Sequence, residues 1–497
     1  MRNQSFNKPH RNAVWLLSSL MLAGCAQSPE YLKPELVLAT SFKEGSATEP
    51  VEAGQWKTAQ PSDAVERGRW WEVFDDPLLN QLEEEAQRQN QNLQAAVARL
   101  KQARALARVA DAGRFPDLNA GFGPTRQRLS AQSQADGGNG LQQTLWRAQV
   151  GASYEVDMFG RVAASVSAAN ADTQRSIALL RSVMLSVQAD VAQNYFALRQ
   201  LDAELAVFSE TVKLREQGLE LIEHRFALGD IGELDVARAR AELATTRSDA
   251  MSAQRLRAVA EHRLALLLGK TPAQFSLAAH PLEQIRVDIP PGLPSALLER
   301  RPDIAAAERA MAAANARIGI AKAAFFPSLT LTAATGFESG SMSDLFKWSS
   351  RTFLLGPLVG TALNTPLFDG GLRKGNLAYA NAVFEEDVAR YREQVFLAFQ
   401  EVEDNLSELR ILREQSMEQA RAVEASARAS TIARTQYDEG NVIYLSVLDA
   451  QRTALQSRRG AVQLQGGQAI ATVNLIKALG GGWEMPVQPL AQLQTAP

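Results

Sequence analysis

Among the 497 residues there is a single cysteine, Cys25. No disulfide within one chain is possible, so packing alone must hold the fold. No stretch approaches the roughly 18 to 20 consecutive apolar residues of a membrane-spanning helix, which leaves β-strands or attached lipid as routes into a bilayer. Proline is absent from Thr125 to Thr271 and from Leu367 to Met485, and glycine from Asn376 to Glu439. Runs without breakers permit very long helices; the glycine-free run alone would extend about 96 Å at about 1.5 Å per residue. Three histidines follow residue 24, namely His224, His262 and His280, and they lack ligand spacing. With no nucleophile motif, phosphate loop or metal cluster either, the sequence predicts no enzymatic reaction, no cofactor and no metal site.

What is present begins with an export signal. Arg2, Lys8 and Arg11 precede a short apolar run from Ala13 to Leu22, then Leu22-Ala23-Gly24-Cys25. That layout is a secretory signal peptide over residues 1–24. Its end resembles the bacterial lipoprotein box, whose cysteine is acylated and begins the mature chain; the alternative is an ordinary cleaved signal beside a chance cysteine. Ala26 stands where inner-membrane retention usually requires Asp, which favours the outer membrane. One lipid anchor attaches a protein only weakly, so something else must hold it there. Without residues 1–24 the chain carries 49 basic and 55 acidic residues, a formal charge of −6, which argues against a nucleic-acid partner.

The chain matches itself at a constant offset of 211 residues. Arg114-Phe115-Pro116-Asp117-Leu118 falls on Phe325-Phe326-Pro327-Ser328-Leu329, and Asn194 on Asn405. Leu228-Gly229-Asp230 meets Glu439-Gly440-Asn441, and Leu268-Gly269 meets Leu479-Gly480. Such persistence predicts matched element lengths in a pseudo-symmetric structure, with a difference of about two residues between each proline and the next helix. Pro272, Pro281, Pro290, Pro291, Pro294 and Pro302 mark a linker between the halves.

Inside the breaker-free runs, alternate steps of three and four join Ile177, Leu180, Met184, Val187, Val191, Asn194, Leu198, Leu201, Leu205, Phe208, Val212, Arg215, Leu219, Ile222 and Phe226. Only Asn194 and Arg215 are polar, which specifies left-handed coiled-coil packing. The second half repeats the pattern at Val388, Tyr391, Val395, Ala398, Val402, Asn405, Leu409 and Leu412. Asn194 and Asn405 either fix register at the seam or are solvated polar positions.

A different period appears from Trp146 to Asp157. Trp146, Ala148, Val150, Ala152, Tyr154 and Val156 alternate with Arg147, Gln149, Gly151, Ser153, Glu155 and Asp157, as in a membrane strand with lipid on one face and water on the other. Ser328 to Ala333 alternates likewise, with Pro116 to Phe122 and Phe353 to Phe368 as weaker strands; Gln132 to Gly140 and Glu338 to Ser343 read as loops. Four strands cannot close a barrel, yet strand edges cannot stay unpaired in lipid. Three chains would supply twelve strands, enough for a water-filled barrel. A soluble α+β protein with two small hairpins is the alternative.

The run Arg301-Pro302-Asp303-Ile304-Ala305-Ala306-Ala307-Glu308, continuing through Ala314-Asn315-Ala316-Arg317-Ile318-Gly319 to Ala324-Phe325-Phe326-Pro327, resembles the TolC family. The likeness is greatest to the acylated NodT/OprM branch of outer-membrane efflux factors. Trp70-Trp71, Phe74, Asp76-Pro77-Leu78, Pro366-Leu367-Phe368-Asp369-Gly370-Gly371, and Gly440 with Tyr444-Leu445 and Leu448-Asp449-Ala450-Gln451 belong to the same resemblance. It implies a mixed α and β membrane protein: a homotrimer with a twelve-stranded outer-membrane β-barrel, four strands per chain, continued by a long periplasmic α-helical coiled-coil barrel. A small mixed equatorial domain belts that tunnel. The expected organisation is an N-terminal anchor and equatorial segment at 25–76, a first repeat at 77–270, the linker at 271–302, a second repeat at 303–482 and a tail at 483–497. The family passes drugs or other toxic solutes from a periplasmic adaptor and an inner-membrane pump to the outside, without a cofactor of its own. A protein-secretion duct, and a lipid-anchored periplasmic coiled-coil scaffold, are the competing functions.

By the same resemblance the tips Gly229-Asp230 and Gly440-Asn441 face the adaptor, glycine serving the sharp reversal. Leu445 and Asp449, one helical turn apart, match the positions where the family narrows its periplasmic entrance with an apolar ring and an aspartate ring. The first repeat places Leu234 and Arg238 there instead, and a contact from Arg238 to Asp449 or Tyr437 is a candidate latch. Phe115, Trp146, Phe159, Phe326 and Phe368, together with Phe325, bracket the strands as interface aromatics should, unless they plug helix-to-strand corners.

Overall fold

The computed structural model describes residues 29–34, 42–44, 68–128, 142–282, 300–356 and 363–481; Cys25 and the loop from Gln132 to Gly140 lie outside them. A short 3-10 turn, Trp70–Phe74, leads into helices α1 (Pro77–Gln89) and α2 (Gln91–Ala112). Strands β1 (Asp117–Arg128) and β2 (Gln142–Val156) follow, then α3 (Arg161–Ala227) and α4 (Glu233–Leu267). The second half has α5 (Pro302–Ala323), β3 (Ser328–Ser339), β4 (Arg351–Leu355), β5 (Leu363–Asn364), α6 (Leu372–Asp438) and α7 (Tyr444–Ala478).

The repeat is kept to the residue. Helices α3 and α6 both have 67 residues, and α4 and α7 both have 35. The expected difference between proline and helix is absent, because the interval from Ala112 to Arg161 equals that from Ala323 to Leu372. Length is conserved there while strand pairing differs. The long helices run through the breaker-free stretches, each with a contour of about 100 Å. Two compact units divide the chain, and the divisions fall inside α2, α3, α5 and α6.

The first unit holds the sheet, ordered β1-β2-β3-β4 and antiparallel throughout, with β5 also on β3. Strand β1 extends six residues beyond the expected Phe122, because Gly121, Gly123 and Pro124 blur its alternation without ending its pairing. Pro124 is tolerated because β1 has a neighbour on one side only within the chain. The weak strand from Phe353 to Phe368 resolves into two ladder segments on one edge of β3: Ala333 pairs Leu355, whereas Ser328 pairs Asn364. The outer strand therefore carries four more residues than β3 between those points, a register break that no simple alternation predicts. Glu338 belongs to β3 rather than to the loop. Residues 29–34 lie along α5: Asn315 Nδ2 donates to the Pro29 carbonyl at 2.8 Å, and Lys33 pairs with Glu308 at 3.0 Å.

The second unit is helical. Trp71, Leu79, Phe196, Leu198, Leu264, Val402, Val473 and Ile476 belong to one buried core, on which Phe275 and Leu282 of the linker pack. Asp202 straps the linker to the helices, accepting from Arg199 at 3.0 Å, Arg257 at 2.6 Å and the His280 amide at 3.1 Å. The seam asparagines do not pair with each other: Asn194 and Asn405 each donate to the carbonyl four residues back, Asp190 and Glu401, a local bond that satisfies a polar group on a packed face.

Each repeat closes at one joint. Buried Asn90 caps α2 by accepting from the Leu93 amide at 3.1 Å, and its Nδ2 donates to the Leu267 carbonyl in the last turn of α4 at 2.8 Å. The position equivalent to Asn90 is Arg301, whose guanidinium donates to the equivalent carbonyl, Ala478 in α7, at 3.0 Å. Arg301 also pairs with Asp303 and Glu401, both at 2.6 Å, and Pro302 opens α5 where a missing N–H costs nothing. Gly269 and Gly480 sit beside these joints with φ of +69° and +88°. A Cβ on Gly269 would lie 2.5 Å from the Gln89 carbonyl oxygen, so only glycine admits both the turn and the approach. Arg301→Ala is expected to lower the unfolding free energy by about 2–3 kcal/mol, through two stranded carboxylates and an uncapped helix end. Asn90→Ala should cost about 1–2 kcal/mol. Chemical denaturation of the detergent-solubilised protein measures both, and an unchanged midpoint for Arg301→Ala would remove the joint from the account.

Candidate functional site

The pairing register sorts most of the strand side chains by polarity. One face of the sheet carries Leu118, Ala120, Phe122 and Pro124 of β1, beside Trp146, Ala148, Val150, Ala152, Tyr154 and Val156 of β2. It continues through Leu329, Leu331, Ala333, Thr335 and Phe337 of β3 to Phe353 and Leu355 of β4. The opposite face carries Asp117, Asn119, Arg147, Gln149, Ser153, Glu155, Thr330, Thr332 and Glu338, with Arg147 and Glu338 paired across β2 and β3 at 2.6 Å. Leu118, Phe122, Val150, Leu331, Phe353 and Leu355 are all exposed in the single chain, an apolar surface larger than a water-facing sheet keeps. From Trp146 to Val156, ten steps of about 3.4 Å tilted by about 40° rise about 26 Å, close to the apolar band of an outer-membrane barrel.

The bracketing aromatics divide. Trp146 and Phe122 pack at 6.2 Å between ring centroids near the hairpin end of the strands. Phe159 and Phe326 stack at 4.8 Å, and the Arg373 guanidinium lies over Phe325. Those rings fill helix-to-strand corners. Phe115 and Phe368 are exposed, Phe368 at 91%.

At the far ends of α3 and α6, in the helical unit, the two reversals share one geometry. The Gly229 amide donates to the Phe226 carbonyl and the Asp230 amide to that of Arg225; Gly440 and Asn441 do the same onto Tyr437 and Gln436. The glycines adopt φ of +82° and +79°, which completes a Schellman end at both tips. Gly229, Asp230, Gly440 and Asn441 are all exposed.

Just behind the tips, Ile222, Val236, Ala239, Tyr437, Tyr444, Val447 and Leu448 form a buried cluster that draws on all four helices. Helix α7 thus spends one face inside the chain and leaves Asp449 exposed and Leu445 half-buried on another. Tyr437 packs on Tyr444 at 5.4 Å, with the Arg225 guanidinium 5.0 Å over its ring; its hydroxyl is buried without a partner. Burial raises the hydroxyl pKa of Tyr437. The chain does not bring Arg238 to Asp449 or to the Tyr437 hydroxyl. Arg238 faces Asp235 at 3.5 Å, and Asp449 faces Arg452 at 3.3 Å.

The contact that does cross the repeats near the tips was not singled out in the sequence. Arg452 of α7 donates to both carboxylate oxygens of Glu242 on α4, at 3.2 and 3.1 Å. Arg215 of α3, the polar seam residue, reaches the Glu242 carbonyl at 2.8 Å and its carboxylate at 3.4 Å. The hydrogen bond from Arg452, and then the charge of Arg215, hold the Glu242 carboxyl below the ordinary range against its partial burial. Behind this lock, Arg458 and Arg459 pair with Glu210 and Glu204, so a basic edge of α7 follows an acidic edge of the first repeat. The readable signal was Arg452 lying within one residue of the position equivalent to Glu242.

Comparison with known proteins agrees with this geometry. The model of a family described as outer membrane efflux protein matches residues 82–270 and again 293–481; both bounds are shifted by 211. The toluene efflux pump outer membrane protein TtgF of Pseudomonas putida is 35% identical over 95% of this chain and 97% of its own length. Outer membrane protein OprJ of Pseudomonas aeruginosa is 33% identical over 96% and 97%. The solved open state of the Neisseria gonorrhoeae MtrE outer membrane channel superposes with a TM-score of 0.78 at 30% identity, covering 92% of this chain and 98% of that one. With the sheet two-faced, the repeats equal and the match spanning both, the chain belongs to the outer membrane efflux protein family.

Proposed function

We propose that three copies of this chain close a twelve-stranded barrel in the outer membrane and line a periplasmic tunnel with their helices. The assembly is the exit duct of a tripartite pump, passing drugs or other toxic small solutes from an adaptor and an inner-membrane transporter to the outside. The observation that carries this reading is the sheet: one face apolar from Leu118 to Pro124 and from Trp146 to Val156, one largely polar face, and two edges unpaired among the described strands. Such edges are costly in lipid, and pairing β1 of one copy with the outer strand of the next satisfies them. Two relatives are named for toluene efflux and for cation efflux, which supports a solute set by the transporter and not by the strands.

Acylation of Cys25 fits the strap on α5. Pro29 is fixed at Asn315, about 16 Å along the helix from Phe326, and four extended residues reach about 14 Å. An acyl chain on Cys25 can therefore meet the membrane beside the strand ends. Mass spectrometry of the mature protein should find a lipid-modified cysteine, and Cys25→Ser should leave a protein of unmodified mass that is still exported.

The tips carry the entrance. Leu445 and Asp449 face away from the chain's own core and converge on the threefold axis, where three carboxylates attract cations and repel one another. The Glu242–Arg452 lock holds α7 against the first repeat and keeps the constriction narrow. In planar bilayers the wild type is expected to show a small, cation-preferring conductance. Asp449→Ala, and more so Asp449→Ala with Leu445→Ala, should raise it and remove the preference; no change from either would place the constriction elsewhere. Because the Glu242 pKa is lowered in the folded state, the lock is whole above the ordinary glutamate value and is lost as pH falls through the lowered one. Conductance should accordingly rise on acidification below about pH 4. Glu242→Gln should be open already at pH 7 and lose that dependence, whereas an acid response retained in Glu242→Gln would assign it to another group.

A further inference from the structure

We propose that Arg126, Arg128 and Arg351 form a docking rim for the phosphate headgroups of lipids in the leaflet at the hairpin end of the sheet. The proposal rests on the sheet being a barrel wall, as argued above. All three carboxylates of the described strands, Asp117, Glu155 and Glu338, lie on the polar face. Of the four strand arginines only Arg147 lies there. Arg126 and Arg128 share the face of Phe122 and Trp146, and Arg351, opposite Phe337, shares it too.

All three stand at the hairpin end, and all are exposed. Arg126 lies two residues beyond Pro124, the partner of Trp146. Two and four residues of tilted strand correspond to about 5 and 10 Å past the indole. Headgroups occupy roughly the 5 to 7 Å outside each side of the hydrocarbon core, and Trp marks that boundary. Arg126 is thus set at the depth of lipid phosphates, with Arg128 just outside it and Arg351, in register with Ala148 through Phe337, about two strand residues inside the indole. No carboxylate on that face of the strands competes for them.

Their surroundings orient without neutralising. Arg351 donates to the Trp348 carbonyl at 2.8 Å with its guanidinium over the indole, and the neutral side-chain amide of Gln142 lies 3.2 Å from Arg126. Neutral partners leave each positive charge intact, and the planar fork suits two phosphate oxygens at once. The opposite end of the same face, with Leu118, Val156, Leu329 and Leu363, has no cation in the strands. The rim therefore distinguishes one leaflet from the other.

The test uses the full chain reconstituted in phosphatidylcholine bilayers containing a phosphomonoester lipid, phosphatidate, with bound lipid counted by native mass spectrometry. Wild type is expected to retain phosphatidate over phosphatidylcholine. The variant Arg126→Gln, Arg128→Gln, Arg351→Gln should lose at least about tenfold in apparent affinity, and Arg147→Gln on the polar face should not. Equal retention by the triple variant, or equal loss by Arg147→Gln, overturns the rim. Conductance in the same bilayers separates the two readings: a conducting protein without phosphatidate preference rejects the rim alone, and a protein that never inserts rejects the barrel with it.

Discussion

Each repeat depends on bringing the end of its last helix back to the start of its first. The donors at the joints, Asn90 onto Leu267 and Arg301 onto Ala478, meet carbonyls that a helix end would otherwise leave unpaired. The arrangement also sets the negative end of one helix dipole against the positive end of another. Because the joint is a fixed point, every element between its two sides has a fixed length, and an insertion in α3 would have to be matched in α4. That constraint explains why equal helix lengths, the same glycine turns and the offset of 211 persist where most side chains have diverged.

The joint has been solved twice with different chemistry. Asparagine suffices in the first repeat, where Gly269 brings the Gln89 carbonyl into direct contact. The second repeat uses arginine, a full charge at a helix C-terminus, steadied by Asp303 from its own helix and Glu401 from α6. Asp303 also accepts from Gln394 at 2.8 Å. The run Arg301-Pro302-Asp303 is therefore a structural knot: a cap for α7, a start for α5 and an ionic tie to α6.

What could be read from the sequence followed from periodicity. Long helices were legible because breakers vanish, and β2 because Trp146 to Asp157 alternates without error. The second outer strand was not, since its pairing shifts by four residues between Leu355 and Leu363, and a register break leaves no mark in alternation. The tip glycines were legible because αL turns select glycine. The ion pair from Glu242 to Arg452 was not, because both residues read as solvated coiled-coil charges and only the approach of α4 to α7 makes them partners. Arg215 did stand out as the charged break in an apolar seam, and it proves to be buried beside Glu242. A cation at a packed position is a stronger pointer than a carboxylate on a charged face, since burying it demands a partner.

Equal backbones with unequal charges are what the proposed threefold gate would require. If both repeats carried the same side chains, six equivalent helix pairs would surround the axis and nothing would select which pairs move. Here Arg238 occupies the position equivalent to Asp449, and the basic edge of α7 at Arg452, Arg458 and Arg459 meets Glu242, Glu210 and Glu204 of the first repeat. The second hairpin is thereby tied to the first by these three pairs. Of those contacts Arg458–Glu210 is exposed at both ends and worth at most about 1 kcal/mol, whereas Glu204 is buried, Glu242 largely so, and the apolar cluster around Tyr437 and Tyr444 is buried beside them. On the proposed reading, a partner that displaces these pairs would let α7 swing about that cluster without unfolding it, so that the gate could close again.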